Sequence, residues 1–332
     1  MGNVLREGGT ENRRADLTGT ERCDRMEKKK GQKMKQLGKT ELSVSAVALG
    51  AASFGAEISE AEAFSILDAF VAAGGNFIDT ARLYAGGESE RVLGKWLKRG
   101  GRAVVATKGA HYDLRTPTVM RLGADEIRAD LEESLRTLCV DCIDFYFLHR
   151  DDPRRPVGEI LETMETFVRE GKIRYYGASN YTAARLREAK RYAESHGITG
   201  FSAVSNQHSF ARVNQGHNTN PDPTITVTGE EELAFHKESK IPLVPFQATA
   251  RGYFAKKAVG AEIAPSLSAA YDSEENDHRF GQLLTFSRDR NCSVQTASLV
   301  LMTREDFSVF PITSVRELSQ MEDVARALQM LE

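Results

Sequence analysis

From residue 34 onward, two rhythms of apolar residues alternate along the chain. Short apolar runs at 47–49, 76–79, 104–108, 143–148, 173–177, 203–206, 243–246 and 309–312 predict eight strands. Helical spacing between them predicts helices over about 59–73, 88–98, 124–138, 157–170, 182–195, 229–239, 277–290 with 294–303, and 316–328. Ser59 can cap the first helix, with Glu62 three residues on as its capping-box partner. Gly74-Gly75 ends that helix, where the backbone can take a positive φ at low cost. Residues 34–44 read as two short strands around a turn, a hairpin. Eight parallel strands alternating with helices predict an α/β fold, a (β/α)8 TIM barrel whose N-terminal hairpin closes the bottom. An open, doubly wound sheet is the structural alternative. Residues 1–33 are rich in Gly, Arg, Lys and Glu and have almost no apolar periodicity. Such a segment cannot bury enough surface to offset its ordering entropy, so it reads as a disordered polar leader ahead of a barrel domain over 34–332.

Composition narrows the function classes. Of 332 residues, 41% are hydrophobic and 27% charged, the balance of a soluble globular protein with a sizeable core. A formal net charge of −3 argues against nucleic acid or an anionic membrane surface as partner, since neither polyanion would be attracted. No apolar run reaches the roughly 20 residues of a membrane span, and the N-terminus has no apolar core of a secretion signal. Cys139 and Cys142 form a CxxC, but no second CxxC or histidine pair completes a metal site. These two of the four cysteines, the others being Cys23 and Cys292, straddle a predicted helix end and strand start and read as buried, reduced thiols of a cytoplasmic protein. Two connections, 109–123 and 207–228, are long enough to be functional.

The strand ends carry the chemistry. Asp79 ends the second barrel strand, Lys108 the third and His149 the fourth, while Tyr84 follows Asp79 by five residues. Taken singly, each has an ordinary reading: a helix cap, a surface lysine, a packed tyrosine, a satisfied buried histidine. Jointly they place a carboxylate, an ammonium, a phenol and an imidazole at one barrel mouth, a set that handles protons rather than a metal. Hydride transfer to a carbonyl generates an alkoxide, which needs a proton donor. A free tyrosine, with a pKa of about 10, donates reluctantly near neutrality. A nearby ammonium stabilises the phenolate, and a carboxylate holds that ammonium charged. Tyr84 is thus the expected general acid, Lys108 its modulator, Asp79 the partner of Lys108, and His149 the residue that orients the carbonyl.

Several segments carry a family resemblance. Asn76-Phe77-Ile78-Asp79-Thr80-Ala81-Arg82-Leu83-Tyr84, Gly87-Glu88-Ser89-Glu90, Ala106-Thr107-Lys108 and Leu148-His149 resemble, in order, the signatures of the aldo-keto reductase family. The resemblance is to its bacterial, NADP-dependent type and runs from Met34 to near Leu328. It implies a cofactor, NADPH in preference to NADH. Gly177-Ala178-Ser179-Asn180 and Asn206-Gln207 resemble the segments that bind the nicotinamide amide, which implies Ser179, Asn180 and Gln207. Phe246 stands where the family places an aromatic against the nicotinamide ring. Gln247-Ala248-Thr249 departs from the usual Ser-Pro-Leu near the pyrophosphate, while Arg251-Gly252 keeps the pattern. The segment from Pro311 to Asp323 resembles the adenosine-phosphate motif. It implies Arg316 on the 2′-phosphate, Gln320 and Asp323 toward ribose and adenine, and a helix beginning at Arg316. No Gly-x-Gly-x-x-Gly follows the first strand, which counts against a doubly wound dinucleotide domain.

The resemblance implies an oxidoreductase that reduces an aldehyde or ketone reversibly, as a monomer or homo-oligomer. A nucleotide-binding regulatory subunit with little turnover is the alternative. A metal-dependent hydrolase using Asp79 and His149 would need a histidine-rich mouth, and seven histidines without an HxH pair do not supply one. Phe54, Arg82, His111, Tyr112, Arg150 and Asp151 are expected near the mouth and suggest a polar, sugar-like carbonyl substrate.

Overall fold

A computed structural model describes residues 34–116, 119–217, 219–220 and 222–331. The expected leader at 1–33 lies outside the described residues. The chain opens with an antiparallel pair, β1 (Lys35–Gln36) and β2 (Ser43–Val44). Seven parallel strands follow: β3 (Ala48–Gly50), β4 (Phe77–Asp79), β5 (Val104–Gly109), β6 (Ile143–Leu148), β7 (Ile173–Ser179), β8 (Val204–Ser205) and β9 (Ile312–Thr313). Their order is β8-β7-β6-β5-β4-β3-β9. Residues 243–246 lie between the two ends of this sheet. Leu243 bridges in parallel to Val204 on one side and to Val309 on the other. Val244 N donates to Val204 O at 2.7 Å, and Ile312 N to Pro245 O at 2.9 Å. The sheet therefore curls shut with eight staves, as the eight apolar runs predict. Around residues 243–246 the ladder is sparse because Pro242, Pro245 and Pro311 have no N–H to give.

Helices line the outside: α1 (Glu60–Ala72), α2 (Glu88–Lys98), α3 (Ala124–Leu138), α4 (Val157–Arg169), α5 (Ala183–His196), α6 (Glu230–Ser239), α7 (Tyr253–Ala258), α8 (Pro265–Tyr271), α9 (Glu274–Arg290), α10 (Val294–Met302) and α11 (Met321–Leu331). The predicted capping box on α1 is present, with Ser59 N donating to Glu62 Oε2 at 3.1 Å. At Gly94 in α2, a Cβ would lie 2.3 Å from the Thr137 carbonyl, so glycine is what lets α2 lie against α3.

Three expectations are corrected. Helices α7 and α8 were not predicted, being too short to show a helical period. They form because Tyr253, Phe254 and Tyr271 bury against Leu283 and Ala297 of α9 and α10. The last helix does not begin at Arg316. A 3₁₀ turn, Leu318–Gln320, intervenes, and α11 starts at Met321. The CxxC thiols are not buried: Cys139 is exposed and Cys142 half-buried, and both, like the half-buried Cys292, are free. Cys139 closes α3 in the left-handed conformation (φ 57).

The core has an inner and an outer layer. Inside the barrel Phe77, Val104, Ala106, Phe145, Phe147, Ala203, Val244 and Phe310 pack together, and Leu37, Leu42 and Val44 of the hairpin join them. The hairpin thus plugs the end where the strands begin, as expected, and leaves the opposite end as the mouth. Outward-facing Ile78, Tyr146 and Leu148 meet Ile66, Leu131 and Leu161 of the helices. Leu37→Ala should remove a wholly buried side chain at that plug and cost about 2–5 kcal/mol, read as a lower midpoint in urea. A loss within 0.5 kcal/mol would mean the hairpin is not part of the core.

Candidate active site

Strand register sets the site. Asp79 pairs with Ala106 across β4 and β5, so Lys108 lies one pleat further along on the same face of the sheet. After Asp79 the chain keeps to the edge of β5, with Thr80 N donating to Ala106 O and Arg82 N to Lys108 O. This carries Tyr84 back over Lys108. Lys108 Nζ lies 2.6 and 2.7 Å from the two Asp79 oxygens, 3.0 Å from Thr80 O and 3.3 Å from Tyr84 Oη. The ammonium is 1% exposed. Thr80, through its carbonyl, is a member of this cluster that side-chain types alone could not reveal.

Burial pushes the Asp79 carboxyl up, and the Lys108 ammonium opposes that rise. Burial also works against the charge of Lys108, but Asp79 and Tyr84 outweigh it and hold the ammonium above its usual range. For Tyr84 burial wins: its pKa is raised, although Lys108 and Arg150 pull it down. Lys108 acts in the direction expected of it, lowering the phenol's pKa, and burial outweighs it. The phenol rests protonated, and the cation beside it eases the departure of that proton.

His149 follows β6. Its ring stands edge-on to Tyr84, with centroids 5.7 Å apart, and to His111 at 4.8 Å. Burial, and then Arg150 and Lys108, hold its pKa well below the usual imidazole range, so it is neutral. Arg150 is buried and anchors the 207–228 connection: Nη2 donates to Asp222 Oδ2 at 2.8 Å, Nε to Thr224 Oγ1 at 2.7 Å, and Nη1 to His149 O at 2.8 Å. Arg82 and Asp151 do not face the mouth. Arg82 turns to Asp130 and Glu133, and Asp151 to Arg185. Phe54 is buried in the outer core.

A cleft of about 960 Å³ runs from this cluster across the barrel end. Asp79 and Tyr84 line one part of it; Phe246, Gln247, Arg251, Arg316, Gln320 and Asp323 line the rest. A Cβ on Gly50 would come within 2.5 Å of Ser314 Oγ, so glycine keeps the cleft floor open. Phe246 is half-buried, and Gln247, Ala250 and Arg251 hold positive φ (54, 50 and 53). Such strain in non-glycine residues costs about 1–3 kcal/mol each and collects at functional sites. Ser179, Asn180 and Gln207 sit where β7 and β8 end. Ser179 Oγ donates to Ser205 O at 2.8 Å, and Asn180 Nδ2 to His149 O at 3.1 Å. Gln207 Oε1 is buried without a partner among the described residues. Gln207 Nε2 donates to Thr219 Oγ1 (3.1 Å), which in turn donates to Gln247 Oε1 (2.8 Å), while Arg251 Nη1 donates to Thr219 O (2.9 Å). Thr219 was not anticipated; no periodic pattern marks a residue in so long a loop.

At the far end Arg316 is exposed, ahead of the 3₁₀ turn rather than in the first turn of a helix. It lies 3.5 Å from Glu57, and its N–H donates to Gln320 Oε1 at 2.7 Å. Asp323 Oδ1 accepts from Ser293 at 2.5 Å and so ties α11 to α10. The cationic Arg251, Lys256 and Arg316, the aromatic Phe246 and the unpartnered amide oxygen of Gln207 fit an anionic dinucleotide with a carboxamide end. Among the described residues no group of His, Cys, Asp and Glu is arranged to hold a metal ion, and no helix is long and apolar enough to cross a membrane.

The model of the aldo/keto reductase family matches residues 46–332, and the chain belongs to that family. It is 30% identical over 311 residues to the uncharacterized oxidoreductase YrpG of Bacillus subtilis, covering 89% of this chain and 90% of that protein. Aldo-keto reductase str7 of Strobilurus tenacellus is 40% identical over 136 residues, 41% of this chain and 40% of that protein. Aryl-alcohol dehydrogenase GME11368 of Pestalotiopsis microspora is 25% identical over 314 residues, 86% and 75% of the two chains. Family membership makes the chain an oxidoreductase of the carbonyl-reducing kind.

Four buried histidines give the site and its surroundings a pH dependence. Burial holds His111 and His236 down at about 4, and His149 and His208 well below the usual range. The unfolded chain binds protons at these positions near pH 6.5, whereas the folded chain does not. Stability is therefore full above about pH 6.5 and falls as the pH drops below it, by up to about 1.4 kcal/mol per pH unit for each histidine. Urea midpoints at pH 7.5 and 5.5 should differ clearly; equal midpoints would contradict the buried neutral imidazoles.

Proposed function

We propose that the protein is a cytoplasmic NADPH-dependent reductase of small, polar aldehydes and ketones, with Tyr84 as general acid. The observation that carries this reading is the buried contact of Lys108 Nζ with both Asp79 oxygens and the Tyr84 hydroxyl, in a mouth continuous with the cleft. NADPH supplies the hydride when bound. Ser179, Asn180 and Gln207 hold its amide end, Phe246 offers an aromatic face, and Gln247 and Arg251 lie toward the pyrophosphate. Arg316 takes the 2′-phosphate, and Gln320 and Asp323 face ribose and adenine. His149, neutral, donates a hydrogen bond to the substrate oxygen and sets it beside the Tyr84 hydroxyl. As negative charge grows on that oxygen, Tyr84 releases its proton to it. Lys108, kept charged by Asp79, stabilises the phenolate left behind.

Tyr84→Phe should leave NADPH affinity within about threefold of the parent and lower kcat by about 10²–10⁴, measured as loss of NADPH absorbance with a reactive aldehyde. Near-normal turnover in that variant would remove Tyr84 as the acid. Arg316→Ala should weaken NADPH about 10-fold or more while changing NADH little, since a charged hydrogen bond to the 2′-phosphate contributes about 1.5–3 kcal/mol. Equal weakening of both nucleotides would reassign Arg316.

A further inference from the structure

His111 lies three residues beyond Lys108 and is 5% exposed, yet the chemistry above gives it no part. Its ring stands edge-on to His149, with centroids 4.8 Å apart and planes at 75°, and packs against Tyr112 at 4.2 Å. Its Nδ1 is 2.8 Å from the Tyr112 carbonyl oxygen. A carbonyl can only accept, so the ring proton sits on Nδ1. Burial, helped by Arg150, holds the pKa at about 4, so the ring keeps that single proton near neutrality. Its Nε2 is therefore left as the acceptor nitrogen of the ring. The surrounding cations are already paired: Arg150 with Asp222 at 2.8 Å, and Arg82 with Asp130 and Glu133 at 3.2 and 3.0 Å. This wall offers a ligand a fixed acceptor and no unpaired positive charge, which suits a neutral hydroxyl and not a carboxylate or phosphate.

We propose that His111 is a specificity-determining residue whose Nε2 accepts from a hydroxyl on the carbon next to the reacting carbonyl, so that uncharged 2-hydroxy aldehydes and ketones are preferred. The proposal rests on the reading above, in which His149 holds the carbonyl oxygen. The neighbouring imidazole is then placed for the adjacent carbon's substituent.

The test compares kcat/KM with NADPH for hydroxyacetone and butan-2-one, which differ by a hydroxyl in place of a methyl on that carbon. Propanal reports on carbonyl reduction itself. The parent should favour hydroxyacetone, and His111→Phe should cut the hydroxyacetone-to-butan-2-one ratio at least tenfold. His111→Gln, which retains an acceptor oxygen, should keep part of the preference. Should the phenylalanine variant fail to fold, 4-hydroxybutan-2-one decides on the parent alone. Its hydroxyl is one carbon further away, and it should show no preference over butan-2-one. An unchanged ratio in His111→Phe, or propanal reduced without a preference for hydroxyacetone, overturns the proposal and leaves the reductase reading standing. No turnover of any of the three overturns both.

Discussion

The buried pair of Lys108 and Asp79 is the constraint on which the mouth of this barrel is organised. Two charges out of water cost several kcal/mol each unless their hydrogen bonds are completed. Both Asp79 oxygens, the Thr80 carbonyl and the Tyr84 hydroxyl complete those of the ammonium. That demand fixes the register of β4 against β5 and the path of the chain after Asp79. A slip of one residue would turn Lys108 to the other face of the sheet and strand Asp79. The same contacts that make the pair tolerable hold a phenol against a cation, so the fold's local solution to a buried charge is also what brings Tyr84 to Lys108.

Around that pair the molecule divides its labour. The floor is apolar and tight, with Phe77, Phe145, Phe147 and Phe310 packed on the hairpin's leucines. The upper rim is polar and built by loops. Arg150 ties the 207–228 connection to the backbone of His149, and Thr219 of that connection touches Gln207, Gln247 and Arg251. The His149 side of the mouth and the side of Gln207, Gln247 and Arg251 therefore share one loop.

What was legible in the sequence follows from which signals are local. Seven of the eight apolar runs form strands, the eighth, 243–246, joins the sheet through isolated bridges, and the capping box at Ser59 is present, since all of these depend on neighbours in sequence. The meeting of Asp79, Tyr84, Lys108 and His149 was legible because strand ends in a barrel meet at one mouth whatever the loops do. Helices α7 and α8 were hidden, since a helix of six or seven residues has no period and exists only through burial of Tyr253, Phe254 and Tyr271. The start of the last helix was misplaced because Glu317 takes an extended conformation (φ −138) and a 3₁₀ turn follows before α11. The raised pKa of Tyr84 was out of reach because its sign depends on how far the phenol is desolvated, which only the assembled fold determines.

The seam of the barrel carries one more consequence. Three prolines thin the backbone ladder between β8, residues 243–246 and β9, so this is the stretch of wall with the least stitching. Gln207, Phe246 and Gln247 stand along that stretch. A dinucleotide lying across them would act as a suture, joining two sheet edges that the chain itself leaves loosely sewn. Occupied and empty barrels would then differ less in shape than in stiffness, with the difference concentrated on one flank.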